Sequence, residues 1–115
     1  MIKKDDERIN NIFQLMSESS IRYLLSVDDT LNYYLSGAYI DYSIILLDSK
    51  DENVIGFVNV MEGERASKSS WIDKIILYGG AREGFESIDA DNPIDALAKY
   101  IDQKGNIGVS FDRID

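Results

Sequence analysis

The spacing of apolar residues changes twice along the chain, and the changes divide it into three parts. Ile9, Ile12, Phe13 and Met16 recur at i, i+3, i+4 and i+7, which is one face of a helix. Asp5, Asp6 and Glu7 stand where the positive end of that helix's dipole stabilises acids. "SESS" at 17–20 interrupts the pattern and offers caps for a second helix carrying Ile21, Leu24 and Leu25. "VDDTLNYYLSG" then predicts a third short helical turn, capped by Asp28 or Asp29 and ended by Gly37.

From Tyr39 to Leu47 the period falls to two. Ile40, Tyr42, Ile44 and Leu46 alternate with Asp41 and Ser43, which is strand spacing. "DSKDEN" at 48–53 is a polar turn and "VIGFVNVM" a second β-branched strand, so the two predict an antiparallel hairpin. "EGERASKSS" at 62–70 reads as a polar, mobile loop. Trp71–Tyr78 reads as a third strand and Phe85–Ala90 as a shorter fourth. Helical spacing returns in "DNPIDALAKYIDQKG". Asn92 or Asp91 caps it, Pro93 sits in the first turn, and Gly105 closes it. Ile94, Leu97, Ala98 and Ile101 are expected to share its inner face, and Ile107, Val109 and Phe111 then alternate as a last strand. The expected fold class is α+β, in a single domain over 1–115. It has an N-terminal helical segment, a three- to four-stranded antiparallel meander, one C-terminal helix and a final short strand.

Composition narrows the chemistry. At 115 residues the chain holds one core, and it shows no repeat or Pro/Gly/Ser-rich linker. It has no cysteine, which removes disulfides and thiolate chemistry. It also has no histidine, which removes the commonest general base near neutral pH and the commonest metal ligand. "MIKKDDERIN" turns acidic before any apolar run, so it does not read as a signal peptide. No apolar run approaches the roughly 20 residues that span a bilayer. The expected location is the cytoplasm, with no membrane contact.

One stretch resembles a phosphate-binding loop. In "IILYGGAREG", Ile75 to Gly84, an apolar strand runs into Gly79, Gly80 and Gly84 with Arg82 among them. A P-loop also needs a lysine, a hydroxyl for magnesium and a helix that starts at once. Here no lysine or hydroxyl follows in register, and acids follow instead. The stretch reads as a hairpin corner with glycines at positive φ. Carboxylate pairs offer no stronger site: Asp28/Asp29 read as a helix cap and Glu62/Glu64 as solvated loop. "DSKDEN" lacks the spacing of a calcium loop. Tyr33, Tyr34, Tyr39 and Tyr42 read as core and rim, since base stacking needs a basic groove.

The segment "SIILLDSKDENVIGFVNV" resembles the central hairpin of GNAT-type acetyltransferases, in which a strand, a polar turn and an "IGF"-like strand recur. The resemblance implies a small-ligand-binding or acetyl-coenzyme A domain as the alternative function. "GGAREG" carries the glycines but neither the spacing nor the helix of that family's pyrophosphate loop, so the resemblance assigns no site residue.

Charge then carries the functional expectation. Twenty-one acids against twelve bases give a net charge of −9, a field that repels nucleic acid and draws basic protein surfaces. Glu83, Glu86, Asp89, Asp91 and Asp95 form a dense run, with Asp102 farther along the same helix. Carboxylates so spaced can imitate nucleic-acid phosphates around an apolar centre, for which Trp71, Tyr78 and Phe85 are candidates. The expected function is a non-enzymatic inhibitor or immunity-type protein that blocks a basic, nucleic-acid-binding partner, nuclease or toxin, as phage anti-defence proteins do. It would need no cofactor, metal or catalytic residue and would bind no nucleic acid directly.

Overall fold

The computed structural model describes residues 6–26, 43–70, 72–103 and 111–114. The expected helical turn at 27–37, the start of the first expected strand, Trp71, Gly105, Ile107 and Val109 lie outside the described residues. Among the described residues, nine elements of helix and strand follow in chain order: α1 (Asp6–Glu18), β1 (Tyr23–Ser26), β2 (Ile44–Asp48), β3 (Asn53–Asn59), α2 (Gly63–Ser69), β4 (Lys74–Tyr78), β5 (Glu86–Ser87), α3 (Pro93–Gln103) and β6 (Phe111–Ile114). A single 3-10 turn, Val60–Glu62, joins β3 to α2.

The six strands form one sheet in the order β5-β4-β3-β2-β1-β6. Only β2 runs against its neighbours, pairing Leu24 with Leu47 on one side and Leu46 with Ile55 on the other. The β3–β4, β4–β5 and β1–β6 pairings are parallel. Every residue of β2 is buried, as are Val54 to Val58 of β3. Strands so uniformly apolar need cover on both faces. Alternation sorts them. Ile44, Leu46, Ile55, Phe57, Ile76 and Tyr78 pack with Ala96, Leu97 and Tyr100 of α3. On the opposite face Ile45, Leu47 and Val54 meet Ile9, Phe13 and Met16 of α1, while Val58 and Leu77 meet Ala66 of α2.

The α+β class, α1 with its buried face, the β2–β3 hairpin and α3 stand as expected. The sheet is mixed, where the spacing implied antiparallel pairing throughout. A parallel β3–β4 pair cannot be closed by a tight turn, because the chain must return to the starting end. That return is α2, so the expected mobile loop at 62–70 is largely a helix. Gly63 opens it against the sheet, where an added Cβ would stand 2.8 Å from Leu77 Cδ2.

Two further expectations change. Ile21, Leu24 and Leu25 do not belong to a helix: Tyr23–Ser26 is a strand between β2 and β6. The chain leaves α1 through Ser20, at φ 59°, with the Ile21 amide donating to the Met16 carbonyl at 2.8 Å. That six-residue bond closes the helix instead of starting another. On α3 the inner face is Ala96, Leu97 and Tyr100 with Ile101 partly buried, whereas Ile94 is 56% exposed and Ala98 lies outside. The Asn92 side chain caps α3, accepting from the Asp95 amide at 2.8 Å.

Leu97→Ala should therefore cost about 2–5 kcal/mol, the range for emptying a buried leucine site. Ile94→Ala should stay within about 0.5 kcal/mol, as for surface positions. Urea denaturation of the two variants checks which face of α3 is buried.

Candidate functional site

The most developed polar site lies where α3 ends over the sheet. Tyr100 follows Ala96 and Leu97 by one helical turn, so it joins the inner face and reaches Phe57 of β3 edge-on. The ring centroids are 5.5 Å apart and the planes cross at 73°. Lys74, at the start of β4, points to the same face as Ile76 and Tyr78. Its Nζ stands 5.4 Å from the centre of the Tyr100 ring. The parallel β4–β5 register, Ile76 with Glu86, brings Glu86 alongside, and its Oε2 lies 3.4 Å from Lys74 Nζ. Together with Ser87, Ile88 and Gln103 these residues line a cavity of about 280 Å³. Burial, first, and then the negative charge of Asp48 push the Tyr100 phenol up to about 12. It remains a hydrogen-bond donor throughout the neutral range.

On the same sheet face Asp48 ends β2, opposite Tyr23 and Asn53. Arg22 Nε is 3.5 Å from Asp48 Oδ1, and the guanidinium covers the Tyr23 ring at 4.9 Å. The Lys50 amide donates to Oδ1 at 3.1 Å, but Oδ2 is buried with no hydrogen-bond partner. A buried carboxylate satisfied on one oxygen only is costly. Its position is fixed by the β1–β2–β3 register.

The glycine-rich stretch is not a phosphate loop. Gly79, Gly80 and Gly84 have φ of 76°, 150° and 87°, as expected for a turn. It is not a hairpin corner, however, because β4 and β5 run parallel; residues 79–85 carry the chain back to start β5 beside β4. The Gly79 amide donates to the Ala90 carbonyl at 2.7 Å. Arg82, the one cation of the stretch, pairs with Glu64 of α2 at 2.7 Å, and Lys68 holds the other oxygen of Glu64 at 2.8 Å. The hydrogen bond from Lys68, then the Lys68 and Arg82 charges, hold the Glu64 carboxyl below its ordinary range.

Two residues of the acidic run and two of its candidate aromatic centres are engaged within the domain. Tyr78 is 2% exposed and belongs to the core. Phe85 is half-buried against Val58, Ala66 and Leu77, and Trp71 lies outside the described residues. Glu86 pairs with Lys74, and Asp95 with Lys99 at 3.5 Å. Lys99 also donates to the Asp89 carbonyl. Glu83, Asp89, Asp91 and Asp102 are exposed. Sequence reasoning missed Lys74 and Tyr100. The helical spacing of Tyr100 with Leu97 and Ala96 was the available signal, and no local signal placed Lys74 beneath it.

Residues 8–115 match the family model for the creatinase/prolidase N-terminal domain. The chain belongs to that family. An Xaa-Pro dipeptidase from Bacillus anthracis is similar in structure, with a TM-score of 0.64 and 19% identity over 86% of this chain and 24% of that one. The X-Pro aminopeptidase of Thermotoga maritima gives 0.60 and 19% over 94% of this chain and 33% of that one. The creatinase/prolidase N-terminal domain of an X-Pro dipeptidase from Streptococcus pyogenes gives 0.56 and 13% over 96% and 95%. These likenesses show a shared fold, and this chain spans about a quarter of the B. anthracis chain. No curated protein matches significantly in sequence.

Family membership overturns the functional expectation. The expected non-enzymatic inhibitor or immunity-type protein gives way to a creatinase/prolidase N-terminal domain, matched over residues 8–115. The basic partner that the acidic run implied goes too. The GNAT-type resemblance rested on a hairpin that is present, but here that hairpin leads through α2 to a parallel strand, and the chain matches a different family. Among the described residues no helix is long and apolar enough to cross a membrane.

The raised Tyr100 phenol sets a pH dependence. Its folded value of about 12 exceeds the ordinary 10.0, so the associated stability is complete below pH 10 and lost as pH rises from 10 toward 12. Thermal melts across that range should show a decline that is shallower in Tyr100→Phe than in the parent protein.

Proposed function

We propose that this chain acts in the hydrolysis of Xaa-Pro peptides, as the N-terminal domain of a peptidase of the creatinase/prolidase family. The observation that carries the reading is the family match from residue 8 to residue 115. Xaa-Pro dipeptidase and aminopeptidase neighbours of the same fold support it. Within that activity, the bond-breaking groups are assigned to a further domain. The chain has no histidine or cysteine, and among the described residues no three acids converge as metal ligands would. This domain then contributes surface that bounds or orients the peptide, whose positioning can supply a large share of a rate enhancement.

A domain exchange tests the reading. In the T. maritima X-Pro aminopeptidase, the third of the chain that this protein matches is replaced by this protein. The hybrid is expected to cleave Xaa-Pro peptides with kcat/KM within about 100-fold of the parent, or about 2.7 kcal/mol of transition-state stabilisation. A hybrid that melts cooperatively near the parent temperature but leaves Xaa-Pro peptides intact would overturn it.

A further inference from the structure

We propose that the cavity under the end of α3 binds a small zwitterion of the α-amino-acid type. This inference rests on the cavity alone and does not depend on the Xaa-Pro reading.

The cavity presents one cation and one anion, Lys74 and Glu86, with Nζ and Oε2 3.4 Å apart. Both side chains retain solvent, at 33% and 51% exposure, so each can turn toward a ligand without unfolding its strand. A ligand with a single charge would take one partner and leave the other unpaired. An anion on Lys74 strands Glu86, and a cation on Glu86 strands Lys74; each loss opposes binding. A molecule with an ammonium and a carboxylate on adjacent atoms avoids both penalties. Its carboxylate takes Lys74, its ammonium takes Glu86, and one ion pair becomes a ring of alternating charges.

The walls favour the same class. Tyr100 and Ile88 give an apolar side for a small side chain, while Ser87 and Gln103 add a hydroxyl and an amide. The cavity lies at the C-terminal end of an 11-residue helix, whose carbonyls carry partial negative charge and favour the ammonium end. About 280 Å³ is at the small limit of ligand sites and suits a ligand of amino-acid size.

The test is titration of the full chain, ¹⁵N-labelled, with L-leucine and L-proline, followed by amide shifts. Saturable shifts at Ser87, Ile88 and Gln103 are expected, with affinity on the order of 1 mM for so small and open a cavity. N-acetyl-L-leucine lacks the cation and L-leucinamide lacks the anion, and both should bind at least tenfold more weakly. Lys74→Met and Glu86→Gln change partly exposed side chains and should each weaken L-leucine binding by roughly tenfold, with melting temperatures confirming that the variants fold. The proposal is overturned if the blocked compounds bind as well as L-leucine. It is equally overturned if the two variants bind unchanged, or if no saturation occurs at these amides.

Discussion

The two central strands cannot face water on either side. Ile44 to Leu47 and Val54 to Val58 are buried without interruption, so β2 and β3 demand an apolar layer above and below. Each fully buried aliphatic or aromatic side chain in that pair contributes about 1.5–3 kcal/mol of transfer free energy, more than any exposed ion pair here supplies. α1 and α2 cover one face and α3 the other. The parallel β3–β4 pairing follows from the same demand. A helix between the strands covers the sheet and returns the chain to its starting end in one move.

Polar chemistry is left to the edge of that arrangement. At the end of α3 the apolar cover thins, and Lys74 can lay its stem toward Tyr100 while its ammonium stays within reach of Glu86 and solvent. Asp48 sits nearer the centre of the sheet and is almost wholly buried, where Arg22 and the Lys50 amide offset part of its desolvation. Its charge reaches Tyr100 because so little water intervenes. On the opposite face, Arg82 ties the glycine turn to α2 through Glu64, and this contact accounts for a cation within a phosphate-like sequence.

The net charge of −9 misleads about function because it records composition and not arrangement. Glu86 and Asp95 have lysine partners, and the candidate aromatic centres Tyr78 and Phe85 pack inward. Family identity was invisible for a related reason. The three structural neighbours named share only 13–19% of residues with this chain. What they share is a fold, carried by patterns of burial and connection that many sequences satisfy and not by a short motif with a chemical signature.

The chain alone determined the α1 face, the β2–β3 hairpin, a side-chain cap for α3 at Asp91 or Asn92 and the positive φ of the glycines. Each depends on neighbours within a few residues, through helical period, strand alternation or turn sterics. Tertiary structure decided the rest. Ile21, Leu24 and Leu25 satisfy helical spacing, yet Tyr23–Ser26 is a strand because β2 and β6 stand ready to pair with it. In α3, apolar residues at 94, 96, 97, 98, 100 and 101 fit two overlapping faces. Contact with Phe57 and its sheet neighbours selects the one that holds Tyr100. That choice, together with the parallel register that carries Glu86 to Lys74, assembles the cavity. It joins residues from three elements, and the free energy that does so comes from burial of the sheet, which no local stretch of sequence contains.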